Sequence, residues 1–352
     1  MNSLNSTFSV SKYNNLLEKI VVTNGTIYSR SWTYNGNTYT NLVAFTNTDA
    51  SGTIIINANS TTCAVLIAAG GAGGGCSNKK TGFGMGGGGA GGLIYGTIRF
   101  TSGNIYSIGV GKAGSQSIAS TNDSTIGNAI AGGSGGNSII VGSGISETAF
   151  GGGRGGYSNG GGGGSAYTTP IYSGKNGGSG GGTVGLNSGG ISSGTASAGQ
   201  SSSTNTRSLT YAANGCTANS ISPSTGTGGG GATSTGVPGT NTTGSTTASR
   251  GGIGYLFSVT GTSNDFINKY YCNGGSGSSL TINETIGVYV IPDYSTFIST
   301  YGGAGGGTLT QPIPDPPTAY GSGGGGSYSA TSTSPNYNGG LGTQGIVIIL
   351  VP

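Results

Sequence analysis

Runs of glycine recur along this chain, at residues 70–75, 86–92, 132–136, 151–156, 160–164, 177–182, 228–231, 302–307 and 323–326, interrupted only by an occasional Ala, Ser or Arg. A single run of this kind reads as a flexible linker. Here the pieces between runs, such as Tyr157-Ser158-Asn159, are far too short to fold alone, so the runs must belong to the folded body. Glycine loses more backbone entropy on ordering than any other residue, and a folded state built on it needs dense hydrogen bonding or close backbone packing in return. One arrangement supplies both. Glycine can take an extended helix of about three residues per turn and ~3.1 Å rise, with every N–H and C=O pointing outward. Lacking Cβ atoms, several such helices can lie side by side and satisfy one another's backbone groups. A side chain larger than Ala inside such a bundle is expected to break it.

Composition supports a folded chain of this unusual kind. Glycine supplies 80 of 352 residues and charged residues only 6%, with a formal net charge of +4, so self-repulsion does not hold the chain open. The hydrophobic fraction of 32% confines ordinary side-chain packing to a minority of segments. Strand signals fall at residues 19–23, 31–34, 38–46, 52–57, 63–68, 93–100, 105–110, 138–141, 255–259, 285–291 and 345–351. The run Cys63-Ala64-Val65-Leu66-Ile67-Ala68 is continuously apolar and suits a strand buried on both faces. Asn24-Gly25 and Asn35-Gly36 favour tight hairpin turns, which makes a meander the expected start. A helix-like run at residues 13–20 is too short to be stable alone in water. The expected fold is therefore all-β with extensive irregular structure: a bundle of polyglycine II helices sandwiched between short β-strands, with little or no α-helix.

The order of these features resembles the glycine-rich domain of bacteriophage tail-fibre and adhesin proteins and of particle-surface proteins of large DNA viruses. The resemblance lies in Phe45-Thr46 leading to Ser51-Gly52-Thr53-Ile54, and in Val65-Leu66-Ile67-Ala68-Ala69-Gly70-Gly71. It continues in the run 86–92 followed by Leu93-Ile94-Tyr95, then Ile105-Tyr106-Ser107-Ile108-Gly109-Val110-Gly111, and closes with Gly342-Thr343-Gln344-Gly345-Ile346-Val347-Ile348. It implies a polyglycine sandwich between β layers over residues 42–352 and a structural role at a virion surface. Residues 1–41 have no counterpart there and are expected to form a separate attachment segment that contacts other virion proteins; a loop insert near 270–317 also stands apart.

Function is narrowed mostly by exclusion. The chain has no histidine, which removes Ser-His-Asp and Cys-His machinery, and its eight acids never fall closer than nine residues apart in sequence. The expectation is a non-enzymatic protein with no cofactor and no metal. Basic residues are scattered, apart from Lys79-Lys80, so nucleic acid is not an expected partner. No stretch of about 20 apolar residues calls for membrane insertion, and the start of the chain lacks the pattern of a signal peptide. The location expected is the virion surface after assembly in the host cytoplasm, as a monomer or oligomer. Cys63, Cys76, Cys216 and Cys272 leave two readings open, one disulfide (Cys63–Cys76 or Cys216–Cys272) or buried free thiols.

Nineteen tyrosines against one tryptophan suit a recognition surface, because tyrosine couples a flat apolar face to a hydroxyl. Tyr157, Tyr167, Tyr172, Tyr294, Tyr301, Tyr320, Tyr328 and Tyr337 stand among glycines or near loops and are the candidates for contact with a host glycan or surface receptor. The competing reading is that these rings cap the bundle or fill gaps. The segment Pro312-Ile313-Pro314-Asp315-Pro316-Pro317 reads as an extended surface loop, or as a proline-motif ligand. An ice-binding or matrix-like protein is the alternative class, and the irregular spacing of the runs argues against the regular face that ice binding needs.

Overall fold

The computed structural model describes residues 20–57, 59–76, 85–119, 130–156, 177–182, 195–215, 226–236, 240–242, 245–247, 249–261, 264–278, 281–283, 288–290, 303–306, 314, 316–327 and 337–352. Among them there is no α-helix, and the fold is all-β. The strands are β1 (Ile20–Thr23), β2 (Thr26–Tyr34), β3 (Asn37–Phe45), β4 (Gly52–Ile56), β5 (Thr61–Ala68), β6 (Leu93–Phe100), β7 (Ile105–Gly109), β8 (Ser138–Gly142), β9 (Ile145–Ala149), β10 (Gly199–Ser201) and β11 (Arg207–Ala212). They continue with β12 (Thr240–Thr242), β13 (Ser245–Thr247), β14 (Tyr255–Phe257), β15 (Thr260–Gly261), β16 (Lys269–Tyr271), β17 (Thr281–Asn283), β18 (Val288–Val290) and β19 (Ile346–Val351).

Two antiparallel sheets organise them. The first has the order β1-β4-β7-β8-β9-β10 and the second β11-β6-β5-β19-β3-β2-β15, while β12-β13, β14-β16 and β17-β18 form separate two-stranded pairs. In the first sheet, burial alternates along β4 and β9 as period-two strands require when one face meets a core. In the second, β5 and β19 are buried on both faces. Val65, Ile67, Val347 and Ile349 point into one core with Ile54, Tyr106, Ile108 and Ile140 of the first sheet. Leu66, Ile348 and Leu350 point the other way, into a second core with Trp32, Phe257, Val259 and Tyr271. The central sheet is thus covered on one side by another sheet and on the other by the aromatic stretch around β14 and β16.

The expected opening meander is corrected. Asn35 and Gly36 both have positive φ (49° and 77°) and close the β2–β3 hairpin, as a two-residue turn of this type requires. Asn24 also has positive φ (53°), but β1 pairs with β4 in the first sheet instead of with β2. The Asn24 amide donates to Ser51 O at 2.9 Å, so this turn hands the chain from one sheet to the other. The position 41/42 falls inside β3, and β1 to β3 are woven into both sheets. Of the helix-like run 13–20, residues 13–19 lie outside the described residues and Ile20 begins β1.

The glycine runs extend the strands directly. Residues 69–75 follow β5, residues 86–92 lead into β6, residues 150–156 follow β9, and residues 338–345 lead into β19. Their hydrogen bonds step by three residues. Ala69, Ala72 and Gly75 donate to Gly92, Gly89 and Gly86; Gly70 and Gly73 donate to Gly136 and Gly133; Gly71 and Gly74 donate to Thr343 and Gly340. Each third residue therefore addresses the same neighbour, as an outward-pointing backbone with three residues per turn would do.

Segment 86–92 lies at the centre. Its N–H groups go to residues 150–156 (from Gly86, Gly89 and Gly92), to Thr227 and Gly230 (from Gly87 and Ala90), and to Gly324 and Gly321 (from Gly88 and Gly91). Its carbonyls accept from residues 69–75, from Gly182 and Ser179, and from Gly275. Six neighbouring segments thus surround it. Residues 272–278 and 303–306, inside the 270–317 stretch, join the same bundle through bonds such as Ser276 N–H to Ala304 O.

The limit at Ala is also corrected. Thr227, Ser179, Ser276, Ser278 and Ser322 are buried within the glycine segments. Several replace a missing backbone partner: Ser278 Oγ accepts from Met85 N–H at 2.5 Å. Ser138 Oγ, at the junction with the sheets, accepts from Gly111 N–H and donates to Ala68 O. A hydroxyl on one carbon is small and polar enough to enter the backbone network, which a larger apolar side chain cannot do.

Candidate functional site

Of the eight candidate tyrosines, Tyr157, Tyr167, Tyr172, Tyr294, Tyr301 and Tyr328 lie outside the described residues; Tyr320 and Tyr337 are described, both half-buried. They do different things. Tyr320 packs its ring 6.4 Å from Tyr271, nearly parallel, and 6.3 Å from Phe266. Burial raises its phenol above the ordinary range, with Asp265 adding to the effect. Tyr320 is a packing residue of the second core.

Much of the tyrosine content serves that core. Tyr95 stacks on Tyr255 at 4.0 Å, and the Tyr255 and Tyr34 hydroxyls meet at 3.3 Å. Loss of solvent pushes the Tyr255 and Tyr271 phenols far above their usual value. Trp32, Tyr34 and Tyr39, on β2 and β3, complete the aromatic layer.

Tyr337 instead borders a surface groove of about 430 Å³, together with Gln116, Pro314, Pro316, Asn338 and Leu341. Three stretches meet there; hydrogen bonds anchor two of them, and the third packs on a bundle glycine. Gly339 N–H donates to Ser117 O and Gly340 N–H to Gly325 O. Asn338 Oδ1 accepts from Ala119 N–H at 3.0 Å, and Ser327 Oγ donates to Tyr337 O at 2.7 Å. Pro314 is seated where a Cβ on Gly325 would come within 2.8 Å of its own Cβ, so the bare backbone makes room for the ring. Leu341 is 53% exposed at the rim. The groove joins a candidate tyrosine to the proline-rich segment and adds Gln116, which is distant from both in sequence and which no local motif marks.

A second polar site has no counterpart in the sequence motifs. Glu147 on β9 is fully buried. Its Oε1 accepts from Ser201 Oγ at 2.8 Å and from Ser203 Oγ, and lies 3.3 Å from Arg207 Nε. Its Oε2 accepts from Tyr211 at 2.5 Å. Arg207 Nη1 also donates to Ser203 O at 2.6 Å. Arg207 and Tyr211 belong to β11 of the second sheet, so the carboxylate ties the edges of the two sheets together. Both its oxygens are occupied by donors from the fold, an arrangement suited to clamping.

Cys63, Cys76 and Cys272 are buried free thiols, which settles those three positions against the disulfide reading; Cys216 lies outside the described residues. Burial pushes the Cys76 thiol up to about 11 and drives Cys63 and Cys272 higher still, leaving no thiolate at neutral pH. Among the described residues no group of three or more His, Cys, Asp or Glu is placed to hold a metal ion.

No curated protein matches the chain. The family model described as a glycine-rich domain matches residues 46–351, from the end of β3 to the end of β19 and across the whole bundle; the chain belongs to that glycine-rich domain family.

Proposed function

We propose that this chain is a non-enzymatic structural component of a virion surface or fibre. The observation that carries the reading is the bundle around residues 86–92, in which each of seven consecutive backbone N–H groups donates to another segment. We read these segments as polyglycine II helices, on the strength of their three-residue step. Such a body is stiff without a large apolar core, and it fixes the ends of many loops at once. The ordered strand-and-glycine signatures resemble those of phage and large-virus surface proteins, which supports placement at a particle surface. Contacts with other virion proteins would run through the N-terminal segment. The absence of histidine from the sequence, the high thiol pKa values and the fully occupied Glu147 all favour a structural over a catalytic role.

Host attachment is the second reading, favoured by the groove at Tyr337. The structural proposal is tested by mass spectrometry and immunogold labelling of purified particles from the source of the gene. Detection at the particle surface is the expected result; absence from the particles overturns the proposal.

A further inference from the structure

We propose that the groove between Gln116, Pro314, Pro316, Tyr337, Asn338 and Leu341 binds a neutral saccharide. The inference deepens the attachment reading and rests on it. Three properties of the groove select this ligand class. Its volume of about 430 Å³ lies in the roughly 300–1,000 Å³ range of small-ligand pockets, enough for a short saccharide. Among the described residues that line it none carries a charge, so these offer no counter-ion to a carboxylate or a phosphate. Its polar groups are uncommitted: among the described residues Gln116 makes no side-chain hydrogen bond, and neither does the Tyr337 hydroxyl. Asn338 is held by its Oδ1, which commits its Nδ2 to the role of donor.

Sugars present apolar C–H faces edged by hydroxyls that both donate and accept. The Tyr337 ring and the two prolines supply flat apolar surface, while two amides and a phenol supply both kinds of hydrogen-bonding group. A proline-rich peptide fits less well, since grooves for such peptides are lined by several aromatic rings and the described lining here includes one, Tyr337. The walls on the Gln116 side and at residues 338–341 are flanked by backbone bonds, Gly114 to Gly71, Gly339 to Ser117 and Gly340 to Gly325, which lowers the ordering cost of binding.

The test uses the full chain on an array of neutral and acidic oligosaccharides, followed by titration of the best neutral binder. Tyr337→Ala, Tyr337→Phe and Gln116→Ala are compared after their melting temperatures are measured. The expected result is retention of neutral saccharides only, about tenfold or more weaker with Tyr337→Ala. Tyr337→Phe and Gln116→Ala, which each delete polar groups at a rim the bundle does not depend on, should each weaken binding by about two- to tenfold. Binding confined to acidic glycans, binding indifferent to both Gln116→Ala and Tyr337→Phe, capture of a proline-rich peptide instead, or no binding at millimolar saccharide each overturns the inference. The particle proposal would survive that outcome, because it depends on detection in purified virions.

Discussion

A Cβ added to Gly135 would lie 1.8 Å from Gly70 O, and one added to Gly70 would lie 2.0 Å from Lys112 O. Both obstacles are backbone atoms, which cannot rotate away as a side chain would. Gly103 provides the contrast: it has a positive φ of 74° in the turn after β6, yet open space surrounds its missing Cβ. We expect Gly135→Ala to cost about 3 kcal/mol or more, since overpacking here forces two backbone segments apart. Gly103→Ala should cost only the strain of a left-handed alanine, about 1–2 kcal/mol. Urea denaturation of the two variants checks the order; a reversed ranking would mean that the bundle yields easily. These contacts also decide which residues were legible in the sequence. Where a carbonyl fills the Cβ position, glycine is obligatory and its runs are conspicuous. Glu147 was not conspicuous, because nothing local separates it from the other seven acids; its partners come from residues 201–211.

At the scale of elements, hydrophobic runs announced β5 and β19 because strands buried on both faces need unbroken apolar sequence. Strands such as β10 (Gly-Gln-Ser) and β16 (Lys-Tyr-Tyr) were not legible, since each owes its existence to a partner strand offering hydrogen bonds. The same holds for β1, whose turn residues reveal a reversal but not the sheet it feeds. The Glu147 clamp makes the junction of β9, β10 and β11 testable. Removing one partner of a buried ion pair typically costs about 3–5 kcal/mol, and Glu147→Ala should fall at the low end because Arg207 is 30% exposed and recovers some solvation. In a double-mutant cycle with Arg207→Ala the two losses should be clearly less than additive. Additive losses would show that the serines and Tyr211 bear the whole interaction.

The whole molecule carries several buried acids of the weak kind. Cys63, Cys76, Cys272, Tyr255 and Tyr271 all hold their protons more tightly when folded, because burial disfavours the ionised form. Unfolding then releases protons at alkaline pH. Their contribution is fully present below the ordinary thiol value of 9.0, and for Cys76 it is lost as pH rises toward about 11. At pH 10 we expect a loss of roughly 1 kcal/mol per buried thiol relative to pH 7, read from urea midpoints at the two pH values. A midpoint that is flat or rising over this range would contradict the burial of these groups. The groove was half legible at this scale. Tyr337 and the prolines stood out in the sequence, but Gln116 reaches them only through the packing of segments distant from one another along the chain.

The position of β19 has a consequence for biosynthesis. It lies between β5 and β3 in the middle of the second sheet, and residues 338–345 just before it supply bonding partners for Gly71 and Gly74. The ribosome makes this stretch after everything it must join. The central place in the second sheet therefore stays unfilled until this late stretch has been made. Premature termination upstream of Ile346 would leave no smaller stable product, only a chain for proteases to clear.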